Sequence, residues 1–136
     1  MYLTVLGTSA EGADCGQVGR GNRANGLISF RRPMSMEATA GKNPTNHVGK
    51  IYSVLTHKIA REIHSRVPGI EEVYVWLGSQ IGRPIADPAH ASVHVVLHPG
   101  LGLDEVSRDV QEVIHQELSG MDSLTMSLAR GELRIW

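Results

Sequence analysis

The chain has 136 residues, 41% hydrophobic and 20% charged, enough for one domain with a core, residues 1–136, and not for two. Its longest apolar runs fall short of a membrane span, and MYLTVLGTSAEG lacks the basic and long apolar regions of a signal peptide, so a soluble cytoplasmic protein without a membrane partner is expected. A single cysteine, Cys15, excludes a disulfide framework, and 4% aromatics argues against single-strand nucleic-acid binding, so no nucleic-acid partner is expected.

Residues 2–7 (YLTVLG) are β-prone and predict a first strand. The next forty or so residues carry Gly12, Gly16, Gly19, Gly21, Gly26 and Gly41 with Pro33 and Pro44, and they show no sustained periodicity. An irregular connection of that length in a small domain is usually functional or disordered. Leu27, Ile28, Phe30, Met34 and Met36 lie among its charges, a mix that argues for ordering against something. Val48, Ile51, Tyr52, Leu55, Ile59 and Ile63 then recur at helical spacing, predicting a helix from about Asn46 to Arg66, stopped by Pro68 and Gly69.

Residues 73–77 predict a strand, 78–88 a shaped loop and 91–98 a second strand, with Ala91, Val93, Val95 and Leu97 on one face. Leu103, Val106, Val110, Val113, Ile114 and Leu118 mark the core face of a further helix ended by Gly120. In the tail, Asp122 could cap a short helix that Gly131 terminates, and residues 133–136 look like a closing strand. The order predicts an α+β fold: a split βαβ-like sheet with two helices on one face, preceded by a long glycine-rich functional loop. Residues 73–77 are apolar on both faces, so the other face of the sheet is expected to pack on a partner sheet. Residues 1–50 would hold the first strand and the basic loop, and residues 51–136 the α/β body.

The net charge of −1 hides a division, because residues 1–50 carry six basic against three acidic residues and the remainder seven against eleven. A cationic, glycine-rich front on an acidic body points to a local anion site. In residues 18–26, Arg20 and Arg23 lie among three glycines, where backbone N–H groups can approach a ligand and guanidinium forks can match phosphate oxygens. A glycine-rich turn with solvated arginines is an equal reading of that segment. In residues 40–50, Lys42, Asn46, His47 and Lys50 precede or open the first helix, whose N-terminus favours anions. Thr45 or Asn46 serving only as a helix cap is the commoner reading at this spacing.

The histidines do not suggest one metal site: His90, His94 and His98 recur at four-residue steps, about 13 Å apart along a strand. Asp14, in the glycine-rich part of the loop, is the carboxylate that could touch Mg²⁺, without a second ligand indicated by the sequence. Residues 78–88, with Gln80, Ile81 and Gly82, form a polar loop that could line a pocket or simply join two strands.

Three blocks carry a resemblance: GTSAEGADCGQVGRGNRANGLI, RRPMSMEATAGKNPTNHVGKIY and VYVWLGSQIGRPIADP, in that order. Together they resemble the C-terminal portion of archaeal-type S-adenosylmethionine synthetase (methionine adenosyltransferase), and the closing GELRIW looks like that family's C-terminus. The resemblance implies formation of S-adenosylmethionine from ATP and methionine. Sulfur attacks the ribose C5′, and the triphosphate that leaves is hydrolysed to phosphate and pyrophosphate, with Mg²⁺ and K⁺ as cofactors. It places Lys42, Asn46, His47 and Lys50 in the phosphate-contacting stretch, Arg20, Arg23 and Arg32 at further basic positions, and Gln80, Ile81 and Gly82 near the substrate pocket.

Two departures qualify the resemblance. Cys15 stands where the family usually has an acid after Asp14. The family's catalytic histidine and glycine-rich ATP motif find no match in this chain. The chain is therefore expected to supply part of a site as a fragment or split subunit, inactive alone, with a homo-oligomer or companion chain completing it. The competing reading is a catalytically inactive nucleotide- or anion-binding or oligomerisation module derived from the same family.

Overall fold

A computed structural model describes residues 23–26 and 28–135 of the chain. The first strand expected at residues 2–7, Asp14, Cys15 and Arg20 lie outside the described residues. After a single 3₁₀ turn at Ala24–Gly26 come helix α1 (Val48–Arg66), strands β1 (Ile70–Gly78) and β2 (His90–Leu97), and helices α2 (Leu103–Ser119) and α3 (Met121–Ala129). Among the described residues this is an α+β arrangement of three helices on a two-stranded antiparallel sheet.

Helix α1 is the spine of the core. Ile51, Leu55, Ile59 and Ile63, at four-residue steps, are completely buried, and burial of each such side chain contributes about 1.5–3 kcal/mol. The helix stops where Pro68 disfavours helical backbone at Val67, and Val67 N–H closes on the Ile63 carbonyl at 2.9 Å. Gly69 then turns the chain at φ +84°, where a side chain is excluded because a Cβ would sit 2.6 Å from Leu101 Cδ2.

The β1 and β2 strands pair Val73 with Val95, Val75 with Val93 and Leu77 with Ala91 on one face. The valines and Leu77 pack against the core beneath α1. The opposite face pairs Glu72 with Val96, Tyr74 with His94 and Trp76 with Ser92. Tyr74 stacks on Trp76 and His94, with ring centroids 6.1 Å and 5.7 Å away.

Helix α2 lies beside α1, and Val106, Val110 and Val113 enter the same core. Its start is fixed by Glu105, whose carboxylate accepts the Gly102 N–H at 2.8 Å. The tail resolves the alternatives left open by the sequence. Helix α3 forms with Gly120 at its N-cap and Asp122 inside its first turn, and Gly131 follows its end at φ +71°.

The closing strand expected at residues 133–136 does not form in residues 133–135, and Trp136 lies outside the described residues. A strand needs a ladder of main-chain partners. Here the Ile135 carbonyl instead accepts the Thr39 hydroxyl at 3.0 Å. Leu133 and Ile135 serve as side chains packed against the core.

Candidate functional site

The residues before α1 fold back on its first turn. Asn43 Oδ1 accepts the backbone N–H of Thr45 at 2.9 Å and of Asn46 at 3.3 Å, together with the Thr45 hydroxyl at 2.9 Å. That turn delays the helix to Val48, two residues later than the sequence predicts. The cap is neither Thr45 nor Asn46 but His47, whose Nδ1 accepts the Lys50 N–H at 3.3 Å. Side-chain capping is thus achieved by an imidazole, which fixes the His47 ring over the helix start.

Two lysines meet there. Lys50, one turn into α1, is buried and donates from Nζ to the Lys42 carbonyl at 2.9 Å. Burial, reinforced by the Lys42 charge, pushes the Lys50 ammonium below the ordinary lysine range. The Lys42 side chain, 12% exposed, pairs through Nζ with Glu37 Oε1 at 2.7 Å. Glu37 also lies on the first turn of α1: a methyl at Gly49 would meet Glu37 Cγ at 2.8 Å and His47 Cε1 at 3.0 Å. Lys42, His47 and Lys50 are therefore brought together, around an acid that the sequence pattern does not single out as part of a site. The signal for it was available, since Glu37 is the single acidic residue between Arg23 and Lys50.

The other basic residues lie along a groove of about 760 Å³. Val48, Tyr52, Ser53 and His57 of α1 form one side, β1 from Val73 to Leu77 another, and the segment from Arg23 to Ser35 a third. Arg23 Nε donates to the Ser35 carbonyl at 3.0 Å, bracing the segment. Arg32 pairs with Glu72 at 3.1 Å and covers the Tyr74 ring at 5.5 Å. Both arginines thus have structural engagements as well as a position on the groove. Asn46 is exposed, and its described hydrogen bond is the backbone one to Asn43.

Gln80, Ile81 and Gly82 are exposed at the tip of the β1–β2 loop and are not among the residues that line the groove, although Ser79 is. Arg83 N–H bonds the Gln80 carbonyl at 3.1 Å, and Gly82 turns at φ +88°. The loop is anchored further on, where the buried Tyr52 donates its hydroxyl to the Ile85 carbonyl at 2.8 Å. Burial, with Asp87 adding to it and Arg83 opposing it, holds the Tyr52 hydroxyl above the usual phenol range, so it stays a donor. Tyr52 is a second residue that the sequence marked only as core.

No group of three His, Cys, Asp or Glu side chains able to hold a metal occurs among the described residues. The cluster is cationic and its one carboxylate is already paired with Lys42. The described residues therefore present no carboxylate cluster for Mg²⁺, and no chemical step is routed through a metal. No helix among the described residues is long and apolar enough to cross a membrane. Chemically, the arrangement offers two ammonium groups and an imidazole at one helix start, suited to an anion with several negative oxygens.

The family model for S-adenosylmethionine synthetase (AdoMet synthetase) matches residues 1–132. The S-adenosylmethionine synthase of Methanoregula boonei is 54% identical over 134 residues, covering 98% of this chain and 34% of that protein. Its counterpart in Caldivirga maquilingensis is 52% identical over 132 residues, 97% of this chain and 32% of that protein. That of Methanothrix thermoacetophila is 52% identical over 136 residues, 100% of this chain and 34% of that protein. The chain spans about a third of the length of the curated relatives it matches.

Proposed function

The chain belongs to the S-adenosylmethionine synthetase family, and from that premise we propose that it supplies the polyphosphate-binding part of a methionine adenosyltransferase site. Residues 1–136 act as one domain, which joins the N-terminal portion that this family's longer members carry, or a second chain, to complete the site. The observation that carries this reading is the convergence of Lys42, Lys50 and His47 at the start of α1, with Lys50 buried at the Lys42 carbonyl.

When methionine sulfur attacks C5′ of ATP, negative charge accumulates on the departing triphosphate. Positive groups fixed before the reaction stabilise that charge more than they stabilise the bound substrate, which lowers the barrier. Lys42 and Lys50 are fixed in this way by their contacts with Glu37 and with the main chain. Arg23 and Arg32 extend the positive charge along the groove, and Arg20 and Asn46 belong to the same basic stretch. The Gln80–Ile81–Gly82 tip faces the substrate from the completing portion's side. Mg²⁺ and K⁺ belong with the polyphosphate and with residues outside those described, Asp14 among them. The aromatic outer face of the sheet, with Tyr74 and Trp76, is the surface on which a second sheet packs.

The test is S-adenosylmethionine formation from ATP, methionine, Mg²⁺ and K⁺ by the purified chain, alone and mixed with the N-terminal portion of a related synthase. Product on mixing and none from either part alone is expected. A folded chain that yields no product in either case would move the assignment to an inactive anion-binding or oligomerising module.

A further inference from the structure

The basic cluster contains its own anion. Glu37 is paired with Lys42 at 2.7 Å, and its side chain lies so close to the first turn of α1 that a Cβ at position 49 would meet Glu37 Cγ at 2.8 Å and force it to shift. Its backbone is held in place by Ser35, whose hydroxyl accepts the Glu37 N–H at 3.1 Å. The exposures of the two partners are unequal: the glutamate side chain is 42% exposed and the lysine 12%. An anion arriving from solvent therefore meets the carboxylate before it meets the ammonium. The ion pair between α1 and α2 has the reverse arrangement, with Glu117 at 10% and Lys58 at 44%.

We propose that Glu37 is the resident counter-ion of this site, a carboxylate that holds the place of a polyphosphate and is displaced when the polyphosphate binds. The inference rests on the polyphosphate reading given above and adds to it the residue that sets affinity and release. Among the described residues Glu37 is the carboxylate that lies beside Lys42 and Lys50, two crowded ammonium groups with little solvent to screen them. With it, the free site keeps a neutralised lysine at low cost. An ion pair whose acid is this exposed holds its partner by only about fivefold or less, and a polyphosphate reaching two lysines and a helix start exceeds that. When the products of triphosphate cleavage leave, Glu37 returns to Lys42 and lowers the affinity for what remains.

The test is calorimetric titration of the purified chain with tripolyphosphate, comparing wild type, Glu37→Gln, Glu37→Ala and Lys42→Ala. Glu112→Gln is included because it makes the same change of charge on the exposed side of α2. Glu37→Gln and Glu37→Ala are expected to tighten binding about three- to fivefold, while Glu112→Gln leaves it within about 1.5-fold. Two glutamate variants guard against a loss of fold in one, and circular dichroism verifies both. Folded Glu37 variants that bind no more tightly than Glu112→Gln, with Lys42→Ala still weakening binding, overturn the role of Glu37 and leave the polyphosphate reading standing. Absence of binding by wild type and by the Glu37 variants overturns both.

Discussion

Lys50 and Lys58 lie on the same helix, eight residues apart, and the fold treats them oppositely. Lys58 reaches across to α2 and pairs with the buried Glu117 at 2.6 Å, so positive and negative charge cancel between two packed helices. Lys50 is the more buried of the two, yet among the described residues no carboxylate pairs with it. Its ammonium points at a carbonyl and has a second lysine beside it. Structural lysines are given a counter-charge, because a buried unpaired charge is expensive. A helix that obeys this rule at Lys58 and departs from it at Lys50 singles out its first turn, where the proposed polyphosphate site lies.

The largest effect should come from the part of α1 that both ends share. Ile59 is completely buried in the core that α1 lays down along its length, and Ile59→Asp would place a carboxylate there. Loss of the cooperative unfolding transition is expected, since domains of this size hold only about 5–15 kcal/mol of net stability. A wild-type melting curve for this variant would mean that the α1 face has been assigned wrongly.

The next two changes separate the ends. Lys58→Ala leaves Glu117 buried without its partner and should cost about 1–3 kcal/mol of stability, seen as a lower denaturant midpoint, with tripolyphosphate affinity unchanged. Lys42→Ala should do the opposite, weakening tripolyphosphate about tenfold with little change in the midpoint. Arg23→Ala should weaken it less, about threefold, because Arg23 lies on the groove and is already engaged by the Ser35 carbonyl. If Lys42→Ala lowered stability and spared binding, the contrast between the two ends would collapse.

The same contrast explains what the sequence could disclose. The core is written in local periodicity: buried side chains of α1 and α2 recur three or four residues apart, and β1 and β2 alternate, so these four elements could be placed near their bounds. The basic block was also legible, because a Gly41–Lys42 step beside a helix start is a local pattern. What escaped depends on contacts that close over a distance or on unusual capping chemistry. Histidine is not among the common side-chain caps, so the local pattern points to Thr45 or Asn46 while the cap is His47. The Thr39 hydroxyl and the Ile135 carbonyl are 96 residues apart, and no local pattern reveals that the tail would give its carbonyl to a side chain rather than a strand. Glu37 needed both the fold-back of residues 35–42 and the bare surface at Gly49 to become part of the site.

The smallest effect is a pH dependence confined to the ligand-binding end. Burial and Lys42 lower the Lys50 pKa from 10.5, so in the window between the lowered value and 10.5 the unfolded chain binds more protons at this residue than the folded chain does. Stability therefore gains a positive slope with pH there, and the cost of burying the charge, present in full below the window, is gone above it. Anion binding moves the other way, because Lys50 sheds its positive charge as pH rises through the lowered value. Lys50→Met removes the titrating group and keeps a side chain of similar length. Tripolyphosphate affinity measured from neutral pH upward should fall earlier in wild type than in Lys50→Met, and wild type should lose part of its advantage over the variant. Parallel profiles for the two proteins would show that Lys50 supports the helix start without contributing charge to the ligand, and would leave Lys42 as the lysine that binds.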